Sequence, residues 1–174
     1  MSIEIEYYLN KIRNKEWVSI GRAAAMVWIG FYDKNNIKKY EQIGDLSGLV
    51  CLHVQCSFRM LDLDLKKVIF ASNDLFSPNS SMEYNEEFDW DVQGNNLFDE
   101  KAKKWKLSNQ HVIVEECKIN VFGDLELKLS NGNIFEVIID SSSVDECWRL
   151  FEKNSKEDHF VMKGNRLVYE YDEE

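Results

Sequence analysis

Three runs of alternating apolar and polar residues follow one another in the second half of the chain. They read HVIVEECKINVF, DLELKLS and IFEVIID, and they begin at His111, Asp124 and Ile134. Side chains alternate across a strand, so each run predicts a strand with one buried and one exposed face. A Gly-Asp pair and an Asn-Gly pair lie at the junctions, and Asn-Gly between alternating runs is a strong hairpin signal. The sequence therefore predicts an antiparallel meander.

The segment LVCLHVQCSFRML, residues 49–61, predicts one long strand whose two faces differ in chemistry. A face of apolar side chains packs on a core, which leaves a row of hydrogen-bonding side chains on the other side. The apolar face carries Val50, Leu52, Val54, Cys56 and Phe58, and the polar face carries Cys51, His53, Gln55, Ser57 and Arg59. The polar row is the first candidate for a functional surface.

Further patterns in the first half of the chain predict secondary structure. Apolar spacing over residues 3–13 predicts a short amphipathic helix, and the mostly apolar residues 17–31 predict a strand. The charged, Asn-rich residues 32–47 are typical of a loop. Residues 62–67 predict a hairpin turn, and residues 68–72 predict the strand that follows it.

Residues 97–107 carry apolar positions at helical spacing and predict a helix. Asn95 or Asn96 caps this helix, and Asp99 and Glu100 then occupy its first turn, where carboxylates are favourable.

The region after residue 142 has two interpretations. Ser143 and Glu146 fit a capping box that begins a helix, whereas residues 146–152 and 159–162 fit a hairpin with a last strand over residues 168–171. We favour the hairpin. Together these patterns predict an α+β fold: a mainly antiparallel β-sheet, flat or rolled, with an N-terminal helix and one mid-chain helix. The 174 residues are enough for one globular domain over residues 1–174.

The charge of the chain limits its partners. Its formal net charge is −10 at pH 7, and such a surface repels phosphate backbones and anionic lipid. We therefore expect no nucleic-acid and no membrane binding, whereas a basic protein partner is compatible with the charge, as is plain solubility. There is no run of about 18 apolar residues and no signal-peptide pattern, so we expect a cytoplasmic protein with reduced cysteines. No oligomeric state is predicted.

The residues with metal-binding or nucleophilic chemistry form no complete signature. Cys51, His53 and Cys56 form a C-x-H-x-x-C pattern, but Cys56 faces away from the other two on a strand. A zinc site would need further ligands from elsewhere in the chain. A thiol at Cys51 beside His53 has no helix N-terminus and no oxyanion hole in the sequence around it. We therefore expect no catalytic residue, no metal and no cofactor.

Asp89 and Asp91 flank Trp90 and share a face if the segment is extended. A carboxylate pair of this kind can do acid–base chemistry or bind a hard cation. It can equally cap a helix and hold Arg59 in place. The structural role is favoured, because acidic residues are plentiful in this chain.

The motifs LHVQCSFR, DWDVQGN and ECWRLF resemble those of a family of uncharacterised bacterial proteins of about this length. The resemblance covers residues 22–161, and Phe58 stands where the family has an aromatic residue, often Trp. Proteins of this general type are similar to immunity proteins from polymorphic-toxin loci, which are small, acidic and cytoplasmic and neutralise a toxin by occluding it. The resemblance implies a partner-binding role and draws attention to His53, Gln55, Arg59, Asp74, Asp91, Asn95, Asp99, Glu146, Trp148 and Arg149.

These residues suggest a polar network. We expect the face around His53 to pair with the loop FDWDVQGNN and with Glu146 and Arg149, and Arg59 to bind Asp91 or Asp99 through two hydrogen bonds. The network either fixes the fold or forms the floor of a binding cleft, and we favour the first.

Two hypotheses of function follow. In the first, the chain is a non-enzymatic cytoplasmic binding protein of the immunity type that occludes a basic protein partner, with Asp89, Trp90 and Asp91 as anchors. In the second, it is a small-molecule-binding domain or an enzyme with a polar pocket between His53 and Arg59. The candidate binding residues are His53, Gln55, Arg59, Asp89, Trp90, Asp91, Asn95, Asp99, Glu146, Trp148 and Arg149.

Overall fold

Strands dominate the described part of the chain, which also contains three α-helices. The computed structural model describes residues 3–43, 46, 48–82, 87–164 and 166–170. Within these residues the helices are α1 (Ile3–Asn10), α2 (Ile37–Ile43) and α3 (Leu97–Ser108), with a short 3-10 helix over Ser72–Phe76. The strands are β1 (Lys15–Ala23), β2 (Met26–Asp33), β3 (Val50–Val54), β4 (Ser57–Asp62), β5 (Lys67–Ala71), β6 (Val114–Ile119), β7 (Leu125–Leu129), β8 (Asn133–Ile138), β9 (Glu146–Glu152), β10 (His159–Lys163) and β11 (Arg166–Glu170).

The strands form two open sheets, and every pairing among the described residues is antiparallel. The six-stranded sheet has the order β1-β2-β3-β9-β10-β11, and the five-stranded sheet has the order β5-β4-β8-β7-β6. The predicted α+β fold with antiparallel sheet structure, an N-terminal helix and a mid-chain helix is confirmed. The meander β6-β7-β8 and the β9-β10 hairpin are confirmed as well.

The predicted long strand over residues 49–61 is two strands in two sheets. The chain leaves the six-stranded sheet after Val54 and enters the five-stranded sheet at Ser57. Burial still alternates through the crossing, since Leu52, Val54 and Phe58 are all buried. The polar side chains before and after the crossing therefore lie on the outer faces of different sheets.

The inner faces of the two sheets share one core, and Trp17 on β1 lies at its centre. The Trp17 ring makes edge contacts with Phe31 at 5.4 Å, with Phe135 of the other sheet at 5.3 Å and with Trp105 of α3 at 5.1 Å between ring centroids. Helix α3 buries Phe98, Ala102 and Trp105 and contacts both β1 and β5, the edge strands of the two sheets. This contact fixes where the N-terminus of α3 lies relative to β1.

Several sequence predictions in the first half of the chain are wrong. Residues 17–31 form a hairpin of two strands, because the chain turns at Ala24, which adopts a left-handed φ of 48°. Residues 32–47, predicted as a loop, contain α2.

The predicted last strand over residues 168–171 corresponds to β11, and Tyr171 lies outside the described residues. Among the helices that the structure describes, none is both long and apolar enough to span a bilayer.

Candidate functional site

One buried arginine organises the polar side of the molecule. The Arg22 side chain, near the end of β1, is fully inaccessible to solvent. Its Nε donates to Oδ1 of Asp99 at 2.8 Å, and its Nη2 donates to Oδ2 of the same carboxylate at 2.9 Å. Paired charge-assisted bonds of this kind are strong and directional. The hydrogen bonds to Asp99 raise the pKa of Arg22 above its usual value.

The same guanidinium holds residues 88–96, which we call the anchored loop. Its Nη2 lies 3.1–3.2 Å from the backbone carbonyl oxygens of Trp90, Asp91 and Val92. Its Nη1 donates to Oδ1 of Asp91 at 3.3 Å. A charged group without solvent must be paired, and here the loop backbone supplies much of that pairing. The position of the loop therefore depends on Arg22.

Asn96 fixes the other end of the anchored loop. It is fully buried and caps α3, because its Oδ1 accepts from the backbone N–H of Asp99 at 2.8 Å. Its Nδ2 donates to the carbonyl of Trp90 at 2.9 Å. The Gly94 N–H donates to Oδ2 of Asp99 at 2.7 Å, and the left-handed φ of 88° at Gly94 suits a residue without a side chain. The predicted Asn cap is confirmed, at Asn96.

The outer side of the anchored loop presents carboxylates and aromatic rings to solvent. The Asp91 side chain is 57% exposed, and Asp89 is exposed as well. The Trp90 ring contacts the ring of Phe76 edge-on, with centroids 5.1 Å apart, and Phe76 is 50% exposed. Val92 is 49% exposed. We call Phe76, Asp89, Trp90, Asp91 and Val92 the acidic aromatic patch.

The polar row of the 49–61 segment does not converge on one place. His53 lies opposite Arg149 on β9, and its ring meets the Phe151 ring edge-on at 4.8 Å. Burial lowers the pKa of His53, and the nearby Arg149 charge adds to this effect. Arg59 lies on the outer face of the other sheet, where its Nε bonds Glu136 on β8. Gln55 is exposed at the crossing between them.

The predicted pair between Arg59 and Asp91 or Asp99 is therefore wrong. Arg22 binds both of these carboxylates instead. The predicted contact between the face around His53 and the loop FDWDVQGNN is wrong for the same reason: the loop is held by β1. The sequence contained a signal for Arg22, which is the only charged residue between Trp17 and Tyr32. A lone charge in an apolar stretch that forms strands needs a buried partner.

The other candidate residues have structural contacts. Arg149 bonds Glu146 through its Nε at 2.8 Å and lies 3.1 Å from Nδ1 of His159. Trp148 is fully buried, and its indole N–H donates to the carbonyl of Gly123 at 3.0 Å, which places it in the core.

Asn95 and Asp74 stabilise turns close to α3. The Asn95 amide donates to the carbonyl of Asp89 at 3.2 Å, within the anchored loop. Asp74 accepts from the backbone N–H of Ala71 at 3.0 Å and from Lys101 at 3.3 Å.

A groove of about 1040 Å³ runs along α3 beside the anchored loop. Its lining includes Ile20 and Gly21 of β1, Gln93 and Gly94 of the loop, and Ala102, Lys103, Lys104, Lys106 and Leu107 of α3. We call it the lysine-rimmed groove. Within the described part of the chain, no three His, Cys, Asp or Glu side chains are placed to hold a metal ion.

No family model, no curated protein and no solved structure matches this chain.

Proposed function

We propose that this chain is a non-enzymatic binding protein that occludes a basic protein partner in the cytoplasm, in the manner of an immunity protein. The observation that carries the proposal is the acidic aromatic patch on a loop anchored by buried Arg22. The patch supplies the partner contact, and the anchor keeps the patch in one conformation before the partner arrives. Binding then costs little ordering of the loop, which favours affinity.

The chemistry of the patch fits a basic surface. Trp is over-represented among the residues that dominate binding energy, and a partly exposed Trp90 ring beside Phe76 offers apolar area for contact. Asp89 and Asp91 on either side attract Lys and Arg side chains, and the chain charge of −10 steers a cationic partner towards them.

The geometry favours this function over a small-molecule site between His53 and Arg59. A pocket needs polar groups that converge on one cavity. His53 and Arg59 lie on the outer faces of two different sheets, and Arg59 bonds Glu136.

The test is affinity capture from a lysate of the source organism at about 0.15 M salt, followed by elution in a rising salt gradient. We expect a basic protein that elutes at moderate salt. A double variant, Asp89→Asn with Trp90→Ala, should lose this protein, because it removes one charge and the largest apolar side chain of the patch. Asn at position 89 keeps the acceptor for the Asp91 N–H, so the loop should stay folded.

The matched control changes the same kinds of residue elsewhere. Phe122→Ala with Asp145→Asn alters a 78% exposed ring and an exposed carboxylate outside the patch, and it should capture the partner as well as the unchanged chain does. Equal capture by the patch variant and the control variant would refute the proposed surface, and capture that is indifferent to salt would refute the electrostatic part.

A further inference from the structure

The surface along α3 is divided by charge. The acidic aromatic patch lies at the N-terminal end of this helix, and Lys103, Lys104 and Lys106 lie towards its C-terminal end. The carboxylates that line the groove are already bonded. Asp99 pairs with Arg22, and Glu100 accepts from the backbone N–H and the hydroxyl of Ser80, both at 2.7 Å.

The three lysines, in contrast, lack a counter-charge in contact. In the part of the chain that the structure describes, none of their ammonium groups has a hydrogen-bond acceptor or a carboxylate within contact distance. Lys103 and Lys104 are exposed, and Lys106 is half-buried with Glu16 and Glu41 in its neighbourhood. Lys104 has Glu100 in its neighbourhood, but Glu100 is hydrogen-bonded to Ser80, so the three ammonium groups form a local positive site in a chain of net charge −10.

Exposed apolar side chains accompany both charged ends. Leu107 is 67% exposed beside the lysines, and Phe76 and Val92 are about half exposed beside the carboxylates. Each end therefore offers apolar area together with charge of one sign, and the two ends are complementary to each other.

We propose that two copies of this chain associate about a two-fold axis, so that the acidic aromatic patch of each copy docks in the lysine-rimmed groove of the other. A two-fold axis across α3 places the acidic end of one helix against the basic end of its partner, and it makes the same contact twice. Trp90 and Val92 then cover Leu107, and Asp89 and Asp91 face Lys103 and Lys104.

This association uses the patch that we assign to the basic partner, so the two contacts exclude each other. Self-association would keep the patch covered until a more basic surface displaces the second copy. The inference needs no partner protein for its test, so it and the proposed function can fail separately.

The test is sedimentation equilibrium of the full chain over a range of concentrations. Salt of about 0.15 M screens the repulsion between two negatively charged copies beyond about 8 Å but preserves contacts at the interface. We expect a reversible monomer–dimer equilibrium. Lys103→Glu with Lys104→Glu should weaken it at least about tenfold, and so should Asp89→Lys, because each places like charges opposite each other.

The decisive sample is an equimolar mixture of those two variants. In the mixed dimer, one contact joins the introduced Lys at position 89 of one variant to the introduced Glu residues at positions 103 and 104 of the other. The second contact keeps the original patch and the original groove. The mixture should therefore form dimers that neither variant forms alone. Both variants remain net negative, so attraction between oppositely charged molecules cannot explain such a result. Lys153→Glu with Lys156→Glu makes the same charge change at exposed positions outside the groove and should dimerise like the unchanged chain.

Circular dichroism on every variant confirms that it is folded. A chain that stays monomeric up to about 1 mM would overturn the inference. A mixture of the two variants that stays monomeric would also overturn it. So would normal dimerisation of the Lys103→Glu, Lys104→Glu variant. A monomeric chain whose groove binds poly-glutamate would assign the groove to an acidic partner instead, which also contradicts a second copy as the occupant.

Discussion

Arg22 on β1 pairs with a carboxylate of α3, and Arg59 on β4 pairs with a carboxylate of β8. The surroundings of the two arginines differ. The Arg22 side chain is fully buried and reaches Asp99, Asp91 and four backbone carbonyls, three of them in the anchored loop. The Arg59 side chain is 46% exposed and bonds Glu136 alone among the described residues. The first arginine organises a loop, whereas the second lies on the surface of a strand that is already formed.

The loss of an arginine–carboxylate pair should cost the fold more when the pair is buried than when it is exposed. Water competes for an exposed pair and leaves it worth little, whereas a buried charge that loses its partner has no replacement. The anchored loop is also held by Asn96 and by Asn79, which donates to the carbonyls of Gly94 and Asn95, and Arg22 joins three further loop carbonyls to β1. Removing Arg22 should therefore affect both stability and the shape of the acidic aromatic patch.

The largest effect is expected from Arg22→Met. The change leaves the Asp99 carboxylate, 13% exposed, without its guanidinium, and it removes the donors of three loop carbonyls. We expect the free energy of unfolding to fall by about 3–5 kcal/mol in urea denaturation. Adding Asp99→Asn should recover part of the loss, because it removes the uncompensated charge. A loss below about 1 kcal/mol for Arg22→Met would refute the anchoring role.

A smaller effect is expected from Asn96→Ala, which removes the cap of α3 and the bond to the Trp90 carbonyl. Loss of an Asn cap costs about 1–2 kcal/mol, measured in the same urea experiment. Asn95→Ala is the matched control, because Asn95 is only half-buried and its side chain makes one bond, to the Asp89 carbonyl at 3.2 Å. If the two substitutions cost the same, the buried cap is not what fixes this end of the loop.

Arg59→Ala should cost less than about 1 kcal/mol, since its pair with Glu136 is open to solvent. Thermal melting is sensitive enough to compare this variant directly with Arg22→Met. A drop in melting temperature as large as that of Arg22→Met would remove the contrast between the two arginines.

The smallest effect concerns pH. Burial holds the pKa of His53 below its usual value of 6.5, so the unfolded chain binds the proton first as the pH falls. The contribution of His53 to stability is therefore complete above about pH 6.5 and is lost as the pH drops towards the folded pKa. His53→Gln should flatten the dependence of unfolding free energy on pH in that window and leave the slope above about pH 7 unchanged. An equally steep acid loss in the variant would assign the dependence to other groups.

Local patterns in the sequence predicted the elements that local interactions form. The Asn-Gly hairpin of the meander and the Asn cap of α3 depend on residues adjacent in the chain, and both were identified correctly. The turn at Ala24 contains no Gly, Asn or Pro, so nothing in residues 17–31 marked the reversal. The crossing at Gln55 preserves the alternation of burial, so a single strand and two strands in different sheets give the same pattern.

The candidate site was predicted in part for the same reason. Asp89, Trp90 and Asp91 were identified from their own chemistry, and they lie together on the outer side of one loop. Their anchor was assigned to the wrong arginine, because Arg22 lies 69 positions from Asp91 along the chain and only the packing of α3 on β1 brings them together. Long-range pairings of this kind require the fold.

The most direct test of the anchored loop is amide hydrogen exchange at Gly94, whose N–H donates to Asp99 at 2.7 Å. The structure predicts that this amide is protected in the unchanged chain, because the loop is held in one conformation. In Arg22→Met this amide should exchange much faster. The amides of β7 and β8 should lose only as much protection as the lower unfolding free energy of the variant accounts for. Rapid exchange of the Gly94 amide in the unchanged chain would show that the loop is not preformed, and it would contradict the proposal that Arg22 holds the acidic aromatic patch in one conformation before a partner binds.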